Sequence, residues 1–141
     1  MRAPILDIAA TIPALVAVQT CPTPAQSADR EDVRLLIEAQ IAAFQRDDAA
    51  AAFSLASPGI RERFSDPDTF LMMVRLNYHA VYRPKLVFFA NYREVDQGAL
   101  QSVRIVDEEG DGWLAIFQLE RVEGAWAVAG CILIKMPSER A

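Results

Sequence analysis

The densest group of side chains that could do chemistry lies in one short segment, NYHAVYRPK, residues 77–85. It holds an amide (Asn77), two phenols (Tyr78 and Tyr82), the chain's one imidazole (His79) and a guanidinium (Arg83). If these groups converge, they could bind an anionic or polar ligand, or carry out an acid/base step near neutral pH. The alternative, which we favour, is that the tyrosines pack as amphipathic wedges and Arg83 pairs with a carboxylate.

A second polar candidate, Gln40, lies in the middle of an apolar helical stripe. Val33, Ile37 and Phe44 lie seven, three and four residues from it, so at about 100° per residue Gln40 projects between Ile37 and Phe44. We therefore expect Gln40 to be buried or to line a cavity. Buried polar groups usually find protein partners, so a structural amide is favoured over a ligand contact.

Two adjacent carboxylates, Asp47 and Asp48, follow that stripe and precede the run AAAAF. Adjacent residues on a helix point about 100° apart, so both carboxylates cannot face one bound atom as an acid/base pair would require. Their position suits a helix cap, where a carboxylate accepts amide hydrogens and meets the positive end of the dipole. We interpret them as a joint between helices and assign no catalytic residue.

Neither a metal nor a cofactor is predicted. His79 is the only histidine, and the acidic run from Asp107 to Asp111 lacks the alternating ligand spacing and distal glutamate of a calcium loop. A solvated hairpin turn is the usual structure for such a run. The sequence also contains no P-loop, dinucleotide fingerprint or G-x-S-x-G motif.

These candidates belong to a chain in which helical spacing comes first and strand patterns follow. Helices are predicted at residues 29–46, 49–56 and 67–78, with one further helical turn at 60–64. Short links with glycine then separate four β-rich segments, which predicts an antiparallel meander: KLVFFANYREV, ALQSVRIV, GWLAIFQLERV and AWAVAGCILIK. The fold class is therefore α+β, with three N-terminal helices packed on one face of a four-stranded antiparallel sheet.

Length and charge limit the functions to consider. At 141 residues and 52% hydrophobic content, the chain is long enough for one domain with a core. Its formal charge of −5 argues against a nucleic-acid partner, because phosphate binding needs a basic surface.

The first 28 residues differ from the rest and have the order of a secretory signal peptide. Arg2 is followed by a mainly apolar run from Ile5 to Val18 and then by CPTPAQSA. We predict a signal peptide over residues 1–28, a single α+β domain over 29–141, and a periplasmic or secreted location. The apolar run is too interrupted to span a membrane, so no membrane contact is expected after cleavage.

Several segments together resemble known proteins. VRLLIEAQIAAFQRDDAAAAFSLASP and the closing strand GAWAVAGCILI are similar to the nuclear-transport-factor-2-like superfamily. More narrowly, IEAQIAAF, SPGIRERF, VYRP and WAVAGC resemble an uncharacterised bacterial family of small exported proteins, over most of residues 30–135. The resemblance implies a cone-like fold with a strongly curved sheet and a hydrophobic pocket, and it implies no activity. Residues 57–66 are too short for the extra hairpin of many members, so we expect four long strands.

Three functions remain open. The first is noncatalytic binding of a small apolar ligand or a protein partner in a cone-shaped pocket. The second is a small isomerase- or hydratase-like enzyme with its pocket near Gln40 and residues 77–83. The third is a homodimeric assembly module that pairs through the exposed face of its sheet. If Glu94, Arg104 and Gln118 point outward, that face is polar and dimerisation is weaker; an apolar face would strengthen it.

Overall fold

The structure is a computed structural model, described for residues 24–137 and with side chains from residue 27. In this part of the chain, helices precede strands: α1 (Pro24–Gln45), α2 (Ala49–Ser54), α3 (Pro58–Phe64), α4 (Pro67–Asn77), α5 (His79–Tyr82), β1 (Pro84–Val95), β2 (Gly98–Asp107), β3 (Gly112–Val122) and β4 (Ala125–Lys135). The predicted α+β class is confirmed.

The described helices number five rather than the predicted three, for two local reasons. The helical turn predicted at residues 60–64 is the longer helix α3, which begins at Pro58 because the Ser57 hydroxyl accepts a hydrogen bond from the amide of Ile60 (3.4 Å). A proline in the first turn of α3 also favours this start. α4 ends where Tyr78 leaves helical geometry (φ −131°, ψ 49°), and the next four residues form the separate helix α5.

α1 begins at Pro24, five residues before its predicted start at Asp29. Asp29, which would cap a helix that began there, instead lies within α1, and its carboxylate pairs with the guanidinium of Arg121 on β3. The predicted signal peptide falls mostly on residues 1–23, which lie outside the described residues.

The cap predicted for α2 is confirmed, and α4 begins with a cap of the same kind. The Asp48 carboxylate accepts a hydrogen bond from the amide of Ala51 (3.1 Å), and the Asp66 carboxylate accepts one from the amide of Thr69 (3.0 Å). Each bond satisfies an amide that has no partner inside its own helix. Two aspartates thus fix where these helices begin.

The four strands pair with their neighbours in the order β1-β2-β3-β4, all antiparallel, which confirms the predicted meander. The register shifts in β1 between Phe89 and Tyr92, and in β4 opposite the step from Gln118 to Leu119. Such bulges bend a strand and increase its twist, so they curve the sheet around the helices.

Alternation along the strands gives the sheet one inner and one outer face. On β2, Val103 and Ile105 are buried against the helices, while Ser102 and Arg104 point outward. The largest fully buried apolar side chains lie between the helices and this inner face: Phe44, Phe117, Ile37, Ile105, Val33 and Val103. The hydrophobic core therefore lies between one layer of helices and one sheet.

Candidate functional site

A cavity of about 360 Å³ lies between the helices and the inner face of the sheet. Its walls come from α1, α3, α4, the junction of α4 with α5, and strands β3 and β4. Small-molecule sites typically have volumes of roughly 300–1,000 Å³. Most of its larger lining side chains are aromatic or aliphatic: Phe44, Ile60, Phe64, Phe70, Met73, Val74, Val81, Phe117 and Val128.

The helical wall of this cavity is organised around the buried ring of Phe70. Its centroid lies 6.2 Å from that of Phe44 on α1, 5.5 Å from that of Phe53 on α2 and 5.7 Å from that of Phe64 on α3. These separations are typical of attractive aromatic pairs. One ring on α4 therefore packs against three other helices.

Gln40 lies where its position in the apolar stripe indicates, 2% exposed on α1 and at the cavity wall. Its side-chain NH₂ group donates to the backbone carbonyl of Ala52 on α2 (3.1 Å). That bond joins α1 to α2 and satisfies a buried donor. Gln40 thus has a structural partner and also contributes an amide to the lining.

Two further polar side chains line the cavity from its helical side. Tyr78, half-buried, occupies the break between α4 and α5. Arg63, exposed on α3, lies on the same helical face as Ile60 and Phe64 and was not identified from the sequence. The spacing of these three residues, i, i+3 and i+4, is the signal that could have found it.

The sheet side of the cavity is formed at the bulge in β4. The backbone of Val128 bonds to the segment between α2 and α3. The amide of Ser57 donates to the carbonyl of Val128 (2.8 Å), and the amide of Val128 donates to the carbonyl of Leu55 (2.9 Å). The Cys131 thiol lies beyond the bulge on the inner face, opposite Phe117. Burial raises the pKa of Cys131 to about 12, so the thiol stays protonated at neutral pH.

Asn77 and His79 lie outside the cavity, on the exposed surface. The Asn77 amide donates back to the carbonyl of Met73 within α4 (3.1 Å). His79 Nε2 lies 3.7 Å from a carboxylate oxygen of Glu108, and both side chains are more than half exposed. The short helix α5 turns this part of the segment away from the cavity.

Tyr82 and Arg83 also lie away from the cavity, where they bind Asp47. The Tyr82 hydroxyl donates to Asp47 Oδ1, Arg83 Nη2 donates to Asp47 Oδ2 (3.0 Å), and Arg83 Nη1 donates to the carbonyl of Phe44 (2.7 Å). The Tyr82 hydrogen bond and then the Arg83 charge lower the pKa of Asp47, and the same bond raises the pKa of Tyr82. This cluster ties the end of α1 to the junction of α5 with β1.

Asp47 and Asp48 therefore have separate structural roles. Asp47 adopts a left-handed backbone conformation (φ 56°) just after α1 and binds the two side chains of the α5 segment. Asp48 caps α2, and the amide of Ala51 followed by the Arg46 guanidinium lowers its pKa. The expected joint between helices is present, although only Asp48 caps one.

The acidic loop between β2 and β3 is organised by Asp107, whose carboxylate is buried. Asp107 Oδ1 accepts from the amides of Glu109 and Asp111 (2.9 Å each), and Oδ2 accepts from Trp113 Nε1 (2.8 Å). Burial alone would raise the pKa of Asp107, but these hydrogen bonds lower it. The Asp107, Glu109 and Asp111 carboxylates come within 4.8 Å of one another, yet three hydrogen bonds already use most of the lone pairs of Asp107.

Comparison with solved structures supports the fold. A crystal structure of an NTF2-like protein of unknown function from Shewanella baltica OS155 matches 84% of this chain and 100% of its own, with a TM-score of 0.54 and 15% identity. At that identity the likeness shows the NTF2-like fold alone. No helix in the described part of the chain is both long and apolar enough to cross a membrane.

Sequence comparison places the chain in a family. The comparison with curated proteins gave no match. Residues 26–141, which include every element from α2 to β4, match the family described as Domain of unknown function (DUF4864). The chain therefore belongs to this family of uncharacterised proteins.

Proposed function

We propose that this protein binds a small apolar ligand in the cavity between its helices and its sheet, without catalysing a reaction. The observation that carries the proposal is a cavity of about 360 Å³ whose larger lining side chains are mostly aromatic or aliphatic. Such a composition is typical of sites where burial of apolar surface supplies affinity and a few polar groups orient the ligand.

The lining chemistry supports binding over catalysis. An isomerase or hydratase needs a general acid or base in contact with the reacting atoms. Among the described residues that line the cavity, the titratable groups are Arg63, Tyr78 and Cys131. With no carboxylate or imidazole in that set, and with the pKa of Cys131 raised to about 12, proton transfer near pH 7 has no suited group.

Titration with 1-naphthylamine, a small uncharged dye whose fluorescence changes in apolar surroundings, tests the proposal. Met73→Trp adds volume to a side chain of the lining, whereas Leu76→Trp makes a comparable change three residues later on the same helix, at a position 73% exposed. We expect the dye to bind the unmodified protein, to bind the Leu76→Trp variant equally, and to lose at least about tenfold in affinity with Met73→Trp.

Equal affinity in all three proteins would overturn the proposal, because the dye would then be binding elsewhere. Absence of dye binding to the unmodified protein would overturn it as well. Circular dichroism and urea midpoints of each variant show whether a lost affinity reflects a filled cavity or an unfolded chain.

We also propose that the protein acts in the periplasm or outside the cell, on the basis of the charge and apolar pattern of residues 1–28. Mass spectrometry of protein recovered from the exported fraction should find an amino terminus near residue 28. An intact Met1 terminus would contradict this location.

A second candidate function, homodimer formation, is favoured by the outer face of the sheet. Four outward-facing side chains at one end are each 45–54% exposed: Leu86, Phe88, Ile132 and Ile134. Arg104 and Gln118 also point outward, whereas Glu94 pairs with Ala99 on the inner face. Among the strand residues whose side the register fixes, the charged ones on the outer face are Arg93, Arg104 and Glu120.

The low charge of this face permits a second copy of the chain as its occupant. Two arginines and one glutamate leave it with a formal charge of +1, although the whole chain carries −5. Two copies that meet here keep most acidic groups away from the contact and bury the same apolar patch twice.

Sedimentation velocity from about 1 to 200 µM tests this association. We expect a dimer for the unmodified chain and a monomer for Ile134→Glu, with Leu76→Glu as the control that adds the same charge at an exposed helical site. A monomer at every concentration would overturn the dimer.

A further inference from the structure

We propose that the ligand of the cavity carries a carboxylate group on an apolar body, and that the Arg63 guanidinium binds this carboxylate. This inference rests on the proposed binding function and adds the chemical class of the ligand. It assigns a role to a residue whose position on α3, beside the aromatic wall, has no evident part in the fold.

The placement of Arg63 carries the argument. Its helical neighbours Ile60 and Phe64 are partly buried against the core, and all three line the cavity. Arg63 makes no ion pair and no side-chain hydrogen bond with any other residue that the structure describes. Its donors are therefore available to a ligand whose apolar part lies against the neighbouring rings.

The charge of the lining selects the sign of the ligand. Arg63 is the one residue of the described lining that carries a formal charge at pH 7, although the chain as a whole is acidic. A cationic ligand would meet a like charge there, and a neutral one would leave the exposed guanidinium to water and gain nothing from its charge. An anion forms a charge-assisted hydrogen bond, which is about twice as strong as a neutral one.

The geometry and the volume favour a monocarboxylate. A guanidinium presents a planar fork of donors that matches a carboxylate in a bidentate contact. A phosphate dianion would be poorly compensated by one cation. If each non-hydrogen atom takes about the 30 Å³ of a water molecule, the cavity of about 360 Å³ has room for roughly a dozen such atoms. Medium-chain fatty acids and small aromatic acids have this size.

Titration calorimetry with decanoate and 1-decanol, each kept below the concentration at which it aggregates, tests the inference on the intact domain. The two compounds share one apolar chain and differ in the charged group. We expect decanoate to bind up to about fivefold more tightly than decanol, as one exposed ion pair allows. The preference should shrink as NaCl rises from 50 to 500 mM, because salt screens an exposed ion pair.

Two arginine variants separate a specific contact from general attraction. Arg63→Gln should abolish the preference for decanoate and leave the affinity for decanol unchanged. Arg61→Gln, on the same helix and also exposed but outside the lining, should keep the preference. Loss of the preference in both variants would overturn the assignment to Arg63.

The remaining outcomes distinguish this inference from the proposed function. If decanol and decanoate bind the unmodified protein equally, the carboxylate class is wrong and apolar binding stands. If neither compound binds and the uncharged dye also fails, both proposals are overturned. If Arg63→Gln weakens decanol as much as decanoate, Arg63 supports the cavity wall and does not bind the ligand.

Discussion

Substitution of Asp107 by asparagine should destabilise the protein more than any other single-atom change in the acidic loop. Asp107 is 5% exposed, and its carboxylate accepts three hydrogen bonds. One oxygen accepts from two backbone amides, and the other accepts from the Trp113 indole. Asparagine keeps the shape but replaces one acceptor oxygen with a donor.

The cost follows from the geometry of these three bonds. If the Asn oxygen faces the two amides, its NH₂ group meets the indole N–H at a 2.8 Å separation. If the oxygen faces the indole, the NH₂ group meets two amide N–H groups at 2.9 Å. Either orientation loses a charge-assisted bond worth roughly 1.5–3 kcal/mol and weakens the others, so we expect a loss of about 2–4 kcal/mol in the free energy of unfolding.

Urea unfolding at pH 7 and 25 °C measures this loss, provided that the m-value is unchanged. The matched control is Asp111→Asn in the same loop, where the carboxylate has an exposed contact with Lys135 Nζ at 3.6 Å. Such a pair contributes at most about 1 kcal/mol. A loss for Asp107→Asn within about 0.5 kcal/mol of the control would refute the reasoning from hydrogen-bond geometry.

The pH dependence supplies an independent readout of the same residue. Because the folded-state pKa of Asp107 lies below its ordinary value of 3.8, its ionisation stabilises the fold above the unfolded-state pKa. This contribution is lost as the pH falls through the folded-state pKa. The acid side of the stability curve should therefore be flatter for Asp107→Asn than for the unmodified protein, and parallel curves would contradict the assignment.

Three further predictions test other parts of the fold. Gly98→Ala should strongly destabilise the fold, because the added Cβ would collide with a backbone carbonyl of β3. Gly59→Ala would make only ordinary contacts and should raise the free energy of unfolding by up to about 1 kcal/mol. Urea unfolding curves of the two variants check both expectations. Tyr82→Phe should lower the urea midpoint, because the hydrogen bond to Asp47 is lost, and should leave the dye affinity unchanged, because Tyr82 lies outside the lining. A weaker dye affinity at an unchanged midpoint would contradict this structural role. The Cys131 thiol should react with a disulfide reagent at pH 8 at least about 30-fold more slowly than free cysteine, because the smaller thiolate fraction outweighs the greater nucleophilicity of a more basic thiolate. Rapid reaction before unfolding would contradict its raised pKa.

Much of the fold could be predicted because its determinants are local. Asp66 followed by a proline specifies the start of α4, and Asp48 specifies the start of α2. The four strands follow from β-branched and aromatic residues between short glycine-containing turns. Gln40 lines the cavity as its helical phase indicates.

The partners of the segment at 77–83 could not be predicted, because they depend on contacts distant in sequence. Tyr82 and Arg83 reach Asp47, 35 and 36 residues earlier, only because Tyr78 breaks the helix and α5 redirects the chain. The sequence shows that these polar groups are close together along the chain but does not show the direction in which each one points. Arg63 was missed because residues 60–64 were interpreted as a single turn, where helical spacing gives little information.

The packing of Phe70 has a consequence for how a ligand would reach the proposed site. Because it packs against phenylalanines from α1, α2 and α3, separating any of these helices from α4 would break an aromatic contact in the core. The helical layer should therefore move as one rigid body and exchange its amide hydrogens as one cooperative unit. Entry into the proposed site would then rely on side-chain motion at its lining, and the exposed Arg63 changes rotamer within nanoseconds rather than milliseconds.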